Sequence, residues 1–281
     1  MFLVKTSGDR PFNLTFLNNG RFWVEKSRNL WDNCGDVRYK NIFMKNLGKI
    51  KITLIILGIL IVGGLGTVMA KFSFPLSPEK LNSRFITSNP LDLSQIAGFS
   101  KYRSCAGHDF RNPIAATGKK EDTPRSMKHY VKVRGDLRGK NGVVKALAPF
   151  DGKISKVDDD MGDTDDRQIW LTPDSISPVQ WHFIFFHIDL EDGLKKGSSV
   201  KAGQLIGTAN LARGPDGATD NFDIAVKITR PMRTPAVDAP FAHMTRGVLD
   251  EYAKYGINES GTLISKEKRD SAPCPTVAGG D

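Results

Sequence analysis

The stretch "GLKKGSSVKAGQLIGTA", residues 193–209, sets glycines at 193, 197, 203 and 207 around two short apolar elements, Val200 and Leu205–Ile206. Glycine takes tight turns and positive φ without steric cost, so this segment folds back on itself in short strands. The surrounding chain reads the same way. "VVKALAPF" (143–150), "GKISKVD" (152–158), "RQIWLT" (167–172) and "FDIAVKIT" (222–229) set alternating apolar positions between turn residues, the pattern of half-buried strands. "VQWHFIFFHIDL" (179–190) is dense in aromatic and β-branched residues and predicts one long central strand. "KHYVKV" (128–133) predicts a further strand inside an insertion, 110–142, rich in Gly, Lys, Arg and Asp. The expected fold class is mainly β, antiparallel or mixed.

Helical signal is confined to two places. In "PFAHMTRGVLDEYAKYG" (240–256), Phe241, Met244, Val248, Tyr252 and Tyr255 recur at spacings of three or four, between Pro240 and Gly256. That predicts an amphipathic helix packed on the domain, with His243 packed or facing solvent and a loose tail after about 270 unless Cys274 ties it down. The second place, "ITLIILGILIVGGLGTVMA" (52–70), holds 19 residues without a charge. At about 1.5 Å per residue it approaches the roughly 30 Å of a bilayer's hydrocarbon core, and it predicts a transmembrane anchor.

Residues 1–71 carry 11 Lys+Arg against 4 Asp+Glu, leaving 29 against 27 for the remainder. The basicity is concentrated ahead of the apolar run, at Lys45, Lys49 and Lys51 among others, so the positive-inside rule puts the N-terminus in the cytoplasm and the C-terminal part outside. The near-balanced charge of that outer part excludes nucleic acid as the expected partner. Two starts are open, Met1 and Met44, the second opening "MKNLGKIK" as a short basic lead-in. Cleavage after "VMA" at Ala70, giving a secreted form, is the alternative to an uncleaved anchor.

Of the three cysteines, Cys34 falls on the cytoplasmic side and Cys105 and Cys274 on the outer side. Two thiols in an oxidising compartment read as a Cys105–Cys274 disulfide. That reading competes with a metal role for Cys105.

The glycine turn, with "APFDGKISKV" (148–157) ahead of it, resembles two β architectures: the biotinyl/lipoyl carrier domain, and the duplicated hybrid motif domain of LytM/lysostaphin-type zinc endopeptidases. A carrier presents a lysine on a hairpin, and "DDDMGDTDD" (158–166) has none. That acidic run also lacks EF-hand spacing. The endopeptidase resemblance covers about residues 100–230, where the family's ordered motifs have counterparts. "CAGHD" (105–109) stands for H-x-G-x-D, "FFHIDL" (185–190) for the strand ending in H-L, and "NFDIA" (221–225), after the glycine turn, for H-x-H.

The resemblance implies a β-sandwich or barrel-like domain that holds zinc by three protein ligands, with a fourth position for water. Carried over position by position, Asp109 matches the carboxylate ligand and His187 one catalytic histidine. Cys105 stands at the first histidine-ligand position, Asp223 at the last, and Asn221 at the second catalytic histidine. A thiolate with two carboxylates gathers three negative charges of mixed softness on one dication, and Asn221 cannot relay a proton. With Cys105 in a disulfide, two carboxylates would remain. His108 turns away from Asp109's side on an extended strand, and either it or His129, returning from the insertion, would supply an imidazole. His182 should face opposite to His187 and is given no role.

The resulting organisation is a basic cytoplasmic segment over 1–51 (1–43 untranslated if Met44 is the start), an anchor over 52–70, a linker over 71–100, a LytM-like β domain over 101–235, and a C-terminal helix and tail over 236–281. The function implied is an extracytoplasmic, peptidase-fold module that binds an envelope polymer or a protein partner without catalysis. Two alternatives stand beside it: a metal-dependent endopeptidase with this non-standard ligand set, and a structural envelope protein. The cofactor is correspondingly none, or a single divalent metal with zinc first.

Overall fold

The computed structural model describes residues 14–16, 22–24, 52–67, 76–111, 114–158, 167–174, 179–213, 216–231 and 233–275. The basic residues ahead of the apolar run, Cys34, the cleavage position at Ala70 and the acidic run beyond Asp158 lie outside the described residues. The chain divides into two units, 1–61 and 62–281.

In the first unit, β1 (Leu14–Phe16) pairs antiparallel with β2 (Phe22–Val24), in a segment whose sequence carries no clear periodicity. Helix α1 occupies residues 52–67, across the division between the units at 61/62, and its Ile, Leu and Val side chains are exposed along its length. No helix among the described residues is long and apolar enough to cross a membrane.

Residues 62–281 hold the β domain. Its elements are α2 (Pro78–Leu81), β3 (Ile96–Phe99), β4 (His129–Val133), β5 (Lys145–Leu147), β6 (Gly152–Asp158), β7 (Gln168–Pro173), β8 (Gln180–Phe186), β9 (Ile188–Leu190), β10 (Ser199–Val200), β11 (Leu205–Ala209), β12 (Asn221–Arg230), β13 (Arg233–Asp238), α3 (Arg246–Ala253) and α4 (Lys266–Ser271). One sheet runs β10-β6-β7-β8-β12-β4-β3, with β13 also on β12; a second runs β5-β11-β9. Every described strand pair is antiparallel. The two sheets share one core: Val131, Ile169, Phe183, Phe185, Phe222 and Ile224 from the large sheet meet Ala146, Ile188, Ile206 and Ala209 from the small one. Period-2 alternation produces this, because residues two apart point to the same face.

The glycine segment behaves as its composition predicts. Gly193, Gly197 and Gly203 all have positive φ. Gly207 lies so close to β9 that a Cβ would stand 2.2 Å from the Asp189 carbonyl oxygen, so this strand contact requires glycine.

Three expectations need correction. The strand over 179–190 is broken at His187, whose φ of 59° ends β8 in the large sheet and starts β9 in the small one. The predicted linker is, over residues 76–100, part of the packed domain: Ile86, Leu91 and Leu93 enter the core and β3 pairs with β4. Prolines and small polar residues obscured those isolated apolar anchors. The single late helix is a 3-10 turn at Pro240–His243 followed by α3. Phe241, Met244, Val248 and Tyr252 are buried as expected, but Tyr255 is 54% exposed because the helix ends before it.

Candidate functional site

β12 lies between β8 and β4 and carries the site. Its even residues Phe222, Ile224 and Val226 face the shared core, so Asn221, Asp223, Ala225 and Lys227 face the other way. Register sets Asp223 opposite Phe186 on β8 and Tyr130 on β4, and Asn221 opposite Lys132. Cross-strand partners share a face. The face is therefore built from β12, from the aromatic end of β8, and from the alternate residues Lys128, Tyr130 and Lys132.

At its centre Lys128 Nζ stands 2.7 Å from Asp223 Oδ2, with the two side chains 2% and 1% exposed. The ammonium lies 4.8 Å from the ring centres of Tyr130 and Phe186 and 5.1 Å from that of Phe110. Aromatic faces stabilise a desolvated cation, which is how a buried lysine is tolerated here. His187 Nε2 is 3.5 Å from the same Asp223 oxygen. The left-handed backbone at His187 carries its side chain out of the β8 alternation and toward Asp223. Burial alone would raise the Asp223 carboxyl, but hydrogen bonding to His187 and the Lys128 charge outweigh it and hold the group below the usual carboxylate range.

Beside this pair, Tyr130 joins the buried cluster to an open cleft. The cleft, about 560 Å³, is lined by Gly98, Phe99, Ser100, Ala106, Gly107, Tyr130, Lys132, Asp220 and Asn221. The His108 backbone N–H donates to Tyr130 Oη at 3.2 Å, and His108 Nδ1 is 3.3 Å from the same hydroxyl. Burial, and next the Lys128 charge, lower the His108 imidazole below its ordinary value. Asn221 sits at the cleft edge, its amide donating to Asp220 Oδ1 at 3.2 Å.

The predicted ligand set does not assemble. Cys105 is bonded to Cys274, which removes its thiolate. The Asp109 carboxylate accepts from Arg111 Nε at 2.9 Å and from the Arg125 backbone N–H at 3.1 Å. Asp223 is closed by Lys128. Among the described residues no three of His, Cys, Asp and Glu lie where they could hold a metal ion together. The residues therefore do not fit the zinc centre that the resemblance implies.

The candidate imidazoles fare differently. His129 is fully buried on the core side of β4, its Nδ1 2.7 Å from the Ser100 carbonyl oxygen, and burial lowers its pKa to about 4. It is no ligand, for the same alternation that buries Val131 and Val133. His182 shares the Asp223 face instead of opposing it, since β8 ends before His187 and resets the alternation. Its nitrogens meet Thr172 Oγ1 at 2.7 Å and Thr229 Oγ1 at 2.8 Å. Burial, with the Lys227 charge, lowers its pKa to about 4.

The residues that sequence reasoning passed over are Lys128 and Tyr130. Their signal was present in "KHYVKV": if Val131 and Val133 point inward, Lys128 and Tyr130 must share the outer face.

No protein-family model matches the chain, and no curated protein matches it. Among solved structures, a chain from Ruminococcus gnavus that bears the provisional name glycyl-glycine endopeptidase lytM is similar at 18% identity with a TM-score of 0.29. That similarity covers 41% of this chain and 44% of the other, so less than half of either is spanned.

Proposed function

We propose that this protein is a membrane-anchored, extracytoplasmic domain of the duplicated hybrid motif type that binds without cleaving, holding a cell-envelope polymer or a protein partner in the cleft beside Tyr130. The anchor is the apolar run over 52–70, with the basic flank on the cytoplasmic side. The observation that carries the non-catalytic reading is the closure of Asp223 by Lys128. A carboxylate held in a buried ion pair is unavailable to a catalytic metal, and the Asn221 amide neither takes up nor releases a proton near neutral pH. What remains open is a cleft with a tyrosine wall and a polar rim of Lys132, Asp220 and Asn221, which is binding chemistry.

The test incubates the purified chain with cell-wall glycan–peptide polymer and measures both sedimented protein and released fragments. Saturable co-sedimentation without fragment release is expected. Metal-dependent release that disappears in His187→Ala would defeat the reading. Protease protection in intact cells tests the topology: digestion of the β domain from outside is expected, and full protection would refute the outward orientation.

A further inference from the structure

We propose that Lys128 is the internal cation of this site, its ammonium holding the charge-balancing place beside Asp223 that a metal ion would otherwise take. The proposal deepens the reading above. The two fail separately, because the reading is tested by polymer binding and fragment release and the proposal by zinc uptake.

The argument is one of charge and access. Asp223 is buried, and Lys128 Nζ at 2.7 Å and His187 Nε2 at 3.5 Å converge on its Oδ2. Its Oδ1 is buried with no hydrogen-bond partner. A carboxylate with one committed and one open oxygen, and an imidazole turned toward it by a left-handed backbone residue, is two-thirds of a metal-ligand set. The third direction is filled by the ammonium. A dication brought to Asp223 would meet that fixed charge at short range in a region of low dielectric. The three rings around Lys128 Nζ also exclude the water that most cation sites retain. The ammonium balances Asp223 without requiring any ion from solution.

The proposal makes the position of the ammonium exchangeable for a metal. An imidazole is shorter than a lysine side chain, so in Lys128→His the nitrogen falls short of Asp223 and leaves room for an ion between them. Zinc binding is measured by competition against a chromophoric chelator, using the full chain. The wild type and Lys128→Arg should take up no stoichiometric zinc, and Lys128→His should take up one equivalent. Adding His187→Ala to Lys128→His should weaken that binding by more than the roughly 10–100-fold that follows loss of a mere supporting partner of a metal ligand. Should Lys128→His not fold alone, zinc should restore its folded circular dichroism, since a metal that binds only the folded form stabilises it. Stoichiometric zinc in the wild type that is lost in His187→Ala would overturn the proposal. So would a Lys128→His chain that neither binds zinc nor is refolded by it.

Discussion

Cys105 and Cys274, 169 positions apart in the chain, are joined by a disulfide that fastens the C-terminal tail to the loop walling the cleft. Neighbouring contacts run the same way. Arg269 Nε donates to the Arg103 carbonyl oxygen at 2.7 Å, and Asp270 pairs with the fully buried Arg125 at 2.6 Å. Arg125 in turn shares the buried Glu121 with Arg103. The insertion and α4 are thus bound to each other by charge as well as by the covalent link.

Removing that link should be costly, because it closes a long loop in the unfolded chain. Reduction, or the Cys105→Ser/Cys274→Ser pair, is expected to lower stability by about 2–5 kcal/mol. Urea unfolding with and without a dithiol reductant measures it, and an unchanged midpoint would show that the ion network alone holds the tail.

The buried pair gives a sharper result. Asp223→Asn leaves the Lys128 ammonium buried without its counter-ion and should cost about 3–5 kcal/mol. Lys128→Met leaves the carboxylate unpaired, with a loss of the same order. The double variant Lys128→Met/Asp223→Asn should lose less than the sum of the singles, and a double-mutant cycle in urea reads the coupling directly. Additive losses would mean the two side chains act independently.

Stability should fall on acidification in two stages. His129 and His182 have folded pKa values of about 4, below the ordinary histidine value of about 6.5. The unfolded chain therefore binds more protons between these values, so stability drops as pH falls from about 6.5 to about 4, by up to roughly 3 kcal/mol for each fully buried histidine. Asp223 has a lowered folded value, so its contribution is present above the unfolded carboxylate pKa and is lost below it. Urea midpoints from pH 7 to pH 3 should show both stages, and His182→Gln should flatten the first. A flat profile from pH 6.5 to 4.5 would mean that the two histidines are not held neutral.

How much of this was legible depends on whether a residue's role follows from alternation. The strands around the glycine segment and the burial of Tyr252 follow from local pattern, and the structure has them. Local pattern fails at His187. One residue with positive φ divides a continuous apolar run between two sheets, and no hydrophobic period records that. It fails again at residues 76–100, where single anchors such as Ile86 are separated by polar turns. Asp223 and His187 were legible as a pair through motif order. Lys128 was not, because a lysine next to a strand reads as solvated surface until its aromatic neighbours, distant in sequence, are in place.

The cleft itself is tested at Gly107. Its φ is +66°, and a Cβ there would lie 1.9 Å from Tyr130 Oη, well inside contact distance. Alanine at this position must strain a left-handed backbone, at about 1–2 kcal/mol, and also push the loop or the tyrosine aside. Tyr130 is held by the Lys128 ammonium over its ring, so the loop is the part free to move. Its neighbour Cys105 is anchored covalently, which confines the displacement to residues 106–108 and directs it at the cleft wall. Gly107→Ala should therefore reduce polymer co-sedimentation strongly while lowering stability only modestly. If Gly107→Ala bound polymer as the wild type does, the ligand would have to sit elsewhere on the domain, and the cleft beside Tyr130 would lose its assigned role.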